Sequence, residues 1–208
     1  MTSATSDNAP TASATADPTV DPTIDPTARI QWRNLIWCAL ALAIMVWAIV
    51  SRDLWFLNFV HVVAGLLWTG IDLFMGFVMG PIIRRVDISA RRAIISRLMP
   101  KMIFIMTTVS VIAPTAGWFL AVELGFLDLE FPELWWFVAA LVITTIMGVQ
   151  GLAILLPTNI RVYLEMHKPT PDGEKIARLM RRYVRVVASQ GVMQVLIMVV
   201  MTRFATGI

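Results

Sequence analysis

Between Leu54 and Pro81 the chain reads LWFLNFVHVVAGLLWTGIDLFMGFVMGP, an apolar run long enough to cross a bilayer that carries His61 and Asp72 inside it. A hydrocarbon core of about 30 Å takes about 20 helical residues. An aspartate at its centre costs about 2.5–3.5 kcal/mol even on a lenient insertion scale. A fold that keeps this residue must turn its carboxylate away from lipid. His61, Gly65, Trp68 and Asp72 recur at i, i+4, i+7 and i+11, so a helix lines them up on one stripe. A histidine, a small residue, an indole N–H and a carboxylate on one face belong against other protein.

Four further runs are long and apolar enough to span: Leu35 to Ser51, Met102 to Leu124, Leu134 to Pro157, and Tyr183 to Met201. The chain is 58% hydrophobic and 15% charged, with a mean hydropathy of +0.74, whereas a soluble domain carries about 25% charged residues. The expected fold is therefore all-α, a polytopic transmembrane helical bundle of about five spans over residues 31–208. Residues 1–30 are expected to be a disordered tail. They are Thr, Ala, Ser, Asp and Pro, with a DPTV, DPTI, DPTA repeat from Asp17 to Ala28 that offers no apolar surface and a proline every fourth residue. Span 35–51 is read as retained rather than as a signal peptide, because a long polar segment precedes it and Ser51, Arg52 and Asp53 follow in place of a small-x-small cleavage site.

The basic residues are strongly sorted. The loop after the second span holds Arg84, Arg85, Arg91, Arg92, Arg97 and Lys101, and the loop after the fourth holds Arg161, Lys168, Lys175, Arg178, Arg181, Arg182 and Arg185. Under the positive-inside rule both loops and the N-terminus are cytoplasmic and the C-terminus lies outside a bacterial inner membrane. These loops are expected to meet anionic lipid headgroups, not nucleic acid. Cys38, the single cysteine, lies in the first span, which excludes an intrachain disulfide and a cysteine metal cluster.

The second and fourth spans end alike, in Gly80–Pro81 and Leu156–Pro157, each followed by a basic amphipathic segment. The first such segment is expected as a separate helix from Ser89, its N-cap, to Met99, and the second as a helix from Asp172 with Ile176, Leu179, Met180 and Tyr183 on its apolar face. The pattern fits a duplication or the ordinary way to finish a span at a basic surface, with the second reading preferred. Gly76 and Gly80 have the GxxxG spacing of close helix contacts, within the chain or across a dimer. Pro114 interrupts the third span and is expected to kink it.

Topology converts position into depth. His61 falls in the outer leaflet, at a level where Glu123 of the third span could meet it. Asp72 lies about 16 Å further in, near the level of Thr107, Gln150 and Gln190. Such groups face a bundle interior or a water cavity, and the plain alternative is polar glue between helices. For His61 the first cofactor to consider is heme b. The second histidine, His167, lies in a basic loop, so the iron would need His61 alone, His61 with Met45, Met198 or Met201, or two copies of His61 across a homodimer. Copper comes next, since 13 methionines and a histidine are soft ligands, although methionine is also ordinary bundle packing.

The string HVVAGLLWTG, with His61, Trp68 and Gly70 as H-x6-W-x-G and a glycine-rich span ending in Gly80 and Pro81, resembles membrane proteins related to copper resistance protein D. It is also similar to the membrane domain of membrane-anchored urate oxidase and to HemJ-type protoporphyrinogen oxidase, and LLPTNIRVYLE after the fourth span resembles that urate oxidase domain too. The resemblance implies a heme ligand at His61; the stripe and the depth argument add Trp68, Asp72 and Glu123 as candidate cofactor-binding residues. The chain departs from the group in having no second intramembrane histidine and no C-x-x-C-H. The leading expectation is thus a redox cofactor or metal at His61. Two alternatives are a non-catalytic membrane subunit or assembly factor with a partner protein, and a small transporter or channel using Asp72. The charge sorting makes one prediction: a reporter inserted near Pro171 reads cytoplasmic and one after Ile208 reads external, whereas a cytoplasmic C-terminus would show a miscounted span.

Overall fold

The computed structural model describes residues 33–166, 168, 170 and 172–207, apart from the side chains of Ile88, Ser89, Arg91 and Arg92. The expected tail, residues 1–30, and His167 lie outside the described residues. The elements are α1 (Arg33–Ser51), α2 (Leu54–Leu73), a π-turn (Phe74–Met79), α3 (Gly80–Arg85), α4 (Ile88–Glu123), α5 (Leu134–Val149), a second π-turn (Gln150–Leu155), α6 (Leu156–Met166) and α7 (Gly173–Ala205). A short 3₁₀ turn, Phe126–Asp128, precedes α5, and there is no strand among the described residues.

Five helical units are long and apolar enough to span, so the chain is an integral membrane protein. Apolar side chains line the outside, as lipid solvation requires; Trp37, Trp55, Val50 and Phe77 are among the exposed ones. The aromatic pairs Trp47–Phe56, Trp55–Phe59, Phe126–Phe204 and Phe131–Trp135 gather at the end opposite the arginines. That is the position of an interfacial aromatic belt.

Inside, α2 packs chiefly on α4, α4 on α6, α6 on α7, and α7 back on α2, closing a ring of four, with α1 laid against α4 and α2. Ala48, Ala64, Ala113 and Ala116 are buried at these crossings, where small residues let backbones approach. The buried stripe of α2 is Leu57, Val60, Ala64, Trp68 and Asp72. His61 therefore sits at the edge of the stripe, and a side chain added at Gly65 would meet open space.

The basic segments are not separate helices. α4 runs unbroken for 36 residues through Pro100 and Pro114, and α7 for 33. At about 1.5 Å per residue each exceeds a bilayer core by about 20 Å, so the amphipathic stretches are the membrane helices projecting past the lipid. α4 starts two residues earlier than expected, with Asp87 rather than Ser89 as N-cap, accepting from the Ala90 amide at 3.1 Å. Asp172 caps α7 in the same way, accepting from Lys175 at 3.0 Å. At the other end of α4, Gly125 takes the left-handed conformation (φ 72°) that closes a helix C-terminus.

Both π-turns stand just before a proline. Pro81 and Pro157 cannot donate a backbone hydrogen bond, and their rings press on the carbonyl four residues back. Widening the preceding turn relieves this: the Gly80 amide reaches Met75 O and the Leu156 amide reaches Gly151 O, five residues back in each case. Gly76 falls inside the first of these turns and Gly80 directly after it, and among the described residues no other helix lies within 4 Å of a Cβ placed at Gly76. The likeness between the two hairpins thus extends to span, π-turn, proline, basic turn and aspartate-capped helix.

Candidate functional site

Asp72 occupies the last turn of α2 before the first π-turn and is only 9% exposed. Its Oδ2 accepts from Gln194 Nε2 of α7 at 2.7 Å, and the indole N–H of Trp68, one turn earlier, donates to the same carboxylate. No lysine or arginine forms an ion pair with it among the described residues. One turn before Gln194, Gln190 donates from Nε2 to the Met147 carbonyl at 2.9 Å. The two glutamines share one face of α7 at i, i+4 and are 1% and 0% exposed.

The oxygens of these amides are left over. Gln190 Oε1, Gln194 Oε1, Gln150 Oε1 and Asn159 Oδ1 are buried without a hydrogen-bond partner. Gln190 is fixed in this orientation because a backbone carbonyl only accepts, and Gln194 is so oriented while Asp72 is ionised. Gln194 faces a carboxylate and Gln190 a carbonyl. Gln150 donates to Ser189 Oγ at 3.2 Å, and that hydroxyl already donates to Val186 O at 3.0 Å. Asn159 of α6 is hydrogen-bonded to Tyr183 of α7. Unpaired buried amide oxygens cost about 1–3 kcal/mol each, so such a concentration calls for a donor or a cation.

A cavity of ≈ 40 Å³ joins the cluster, lined by Trp68, Asp72, Thr107, Ser110, Asn159, Tyr183 and Gln190 with apolar walls from Met102, Met106 and Leu155. At about 10–15 Å³ per water it has room for about three waters or one small ion. The second π-turn helps aim these groups. Along α5 and α6 the buried face passes from Met147 to Leu155 and on to Thr158, Asn159, Val162 and Glu165. Past the widened turn this face is broad enough to include Asn159.

His61 is some three turns above Asp72 on α2. Its Nδ1 lies 2.8 Å from the Ala113 carbonyl, an acceptor, so Nδ1 carries the proton and Nε2 has no protein partner. The ring is seated in a notch at Gly117, where an added Cβ would come within 2.6 Å of the imidazole Cε1. Glu123 is not part of this arrangement. It lies ten residues beyond Ala113, about 15 Å along α4, and makes a long, exposed contact with Arg52 at 3.9 Å. The expected His61–Glu123 layer does not form, because His61 packs against the middle of α4 rather than its end.

The inner layer is brought together in part. Thr107 and Gln190 share the cavity with Asp72, while Gln150 turns to Ser189. The residue that holds Asp72 is Gln194, and Asn159 and Tyr183 complete the walls. Gln194 carried a signal in the sequence, since it repeats Gln190 one helical turn later in an otherwise apolar span. Among the described residues no three His, Cys, Asp or Glu side chains gather as metal ligands.

At the basic end Glu165, almost fully buried, accepts from Lys168 Nζ at 2.9 Å and Lys175 Nζ at 2.6 Å, which ties the end of α6 to the start of α7. Comparison with family models, curated proteins and solved structures finds no match. The Asp72–Gln194 contact makes a prediction. Gln194→Leu strips a donor from a buried carboxylate and lowers stability by about 1–3 kcal/mol, read as thermal unfolding in detergent. Combining it with Asp72→Asn costs less than the two changes summed. Strict additivity would separate the two residues energetically.

Proposed function

We propose that this protein is a multi-pass inner-membrane protein, N-terminus inside and basic end in contact with anionic headgroups, whose buried Asp72 is the binding site of a translocated proton or small cation. The reading rests on one observation: a carboxylate without an ion-pair partner among the described residues lines a small cavity together with Asn159 and Gln190, whose side chains each carry an unpaired buried oxygen. Charged groups within a membrane bundle are costly and mark ion or proton paths. If the cluster were only glue between helices, each amide would gain most from pairing with another; instead three glutamine oxygens stay free.

Purified protein in liposomes carrying an internal pH dye should pass protons under an imposed potential. Asp72→Asn, which keeps the shape and the Gln194 contact, should abolish that flux. Equal flux through the variant would remove Asp72 from the path.

A second reading is favoured by a different observation. Metal-bound histidines commonly donate their other ring N–H to a backbone carbonyl, and His61 does so to Ala113 while Nε2 stays free. His61 is therefore the residue that would hold a heme b iron, or copper, as the resemblance of HVVAGLLWTG implies, with electron transfer as the chemistry supplied. Trp68 and Asp72 belong to the separate inner cluster and Glu123 to the surface, so neither is a ligand in this reading. Protein purified from cells supplied with heme should show a Soret band that His61→Ala loses; a colourless, metal-free parent would end this reading.

A further inference from the structure

The occupant of the Asp72 cavity can be identified more closely from the chemistry of its walls, and this step rests on the proposed exchange site. Among the described residues the unsatisfied buried side-chain atoms are all oxygens, and the Gln190 orientation is fixed by its donation to the Met147 carbonyl. Gln190 and Asn159, both at least nine-tenths buried, line the cavity beside Asp72. Hard oxygen donors select alkali or alkaline-earth cations over transition metals. One carboxylate with neutral amide oxygens balances one positive charge, whereas a divalent ion draws on several carboxylates or keeps a full shell of water. The ≈ 40 Å³ of space holds a bare monovalent ion with about one or two waters.

We infer that the cavity binds a single sodium ion through Asp72, Asn159 and Gln190, in competition with the proton on Asp72. The exchange balances: the neutral carboxylic acid gives up its proton to water as the sodium ion takes its place, and the site stays neutral in both states. Around Asp72, α4 presents Thr107 and Ser110, α6 presents Asn159, and α7 presents Gln190, Gln194 and Tyr183. Tyr183 is the one other titratable group there.

The test uses the full chain in lipid nanodiscs, in weak buffer with a pH dye. Adding NaCl should release protons and raise the unfolding temperature, while choline chloride at equal ionic strength should do neither. Asp72→Asn should lose the sodium-dependent proton release. Asn159→Ala, confirmed as folded by size exclusion, should weaken apparent sodium affinity at least about tenfold, the loss of one charge-assisted contact, yet still take up a proton on acidification. Equal responses to choline and sodium would overturn the inference as mere screening, and a response to potassium but not sodium would overturn the identity of the ion. Proton uptake that depends on Asp72 but ignores sodium would sink the inference and leave the proton site standing. Absence of both would sink the site itself.

Discussion

A carboxylate buried inside a membrane-spanning helical bundle is the constraint around which this protein is organised. Asp72 can stay there only if something replaces water, and α7 supplies it: Gln194 donates at 2.7 Å across the bundle, with the Trp68 indole alongside. That contact brings α7 to α2 and so closes the ring that begins with the α2–α4 hairpin. The remaining polar groups follow from it. Gln190 sits one turn away and bonds the Met147 carbonyl on α5, so the face of α7 that serves Asp72 also fastens the second hairpin. Breaking a buried charged hydrogen bond is expensive from either side, which makes this pairing an anchor of the fold.

The prolines contribute through geometry. A span ending at a basic surface can simply stop, yet here both outward-to-basic spans continue through a proline by widening one turn. Past the second π-turn the helix goes on with Thr158, Asn159, Val162 and Glu165 buried. In the first hairpin the π-turn begins two residues after Asp72, so the carboxylate sits at the last regular turn of its helix. π-turns concentrate at functional sites, and here two of them bracket the polar cluster. Past them, the bundle is held outside lipid by the aspartate caps and by Glu165 between its two lysines.

Much of this was legible in the residues. Five apolar runs, the sorted arginines and the impossibility of a lipid-facing aspartate lead to the helical bundle and to an inward Asp72. Depth, however, is set by which turn of one helix meets which turn of the next, and periodicity says nothing about that. His61 was expected beside Glu123, but small residues Ala113 and Gly117 let α2 approach α4 further down, and the imidazole finds a carbonyl there instead. Thr107, Gln150 and Gln190 were the expected neighbours of Asp72, and the residue that bonds it is Gln194, one turn beyond Gln190. The long helices were missed because arginines and Pro100 read as a boundary, whereas a helix already anchored in lipid continues into water at little cost. Asn159 could not have been placed, since its orientation depends on the π-turn before it.

The central claim is that Asp72 is an exchangeable acid in a hydrated pocket rather than a fixed strut. Acid–base difference infrared spectroscopy of the protein in lipid tests it most directly, by following the C=O stretch of a protonated carboxyl group. The account predicts a band that appears on acidification, shifts in heavy water and vanishes in Asp72→Asn. A difference spectrum unchanged by that substitution would contradict it.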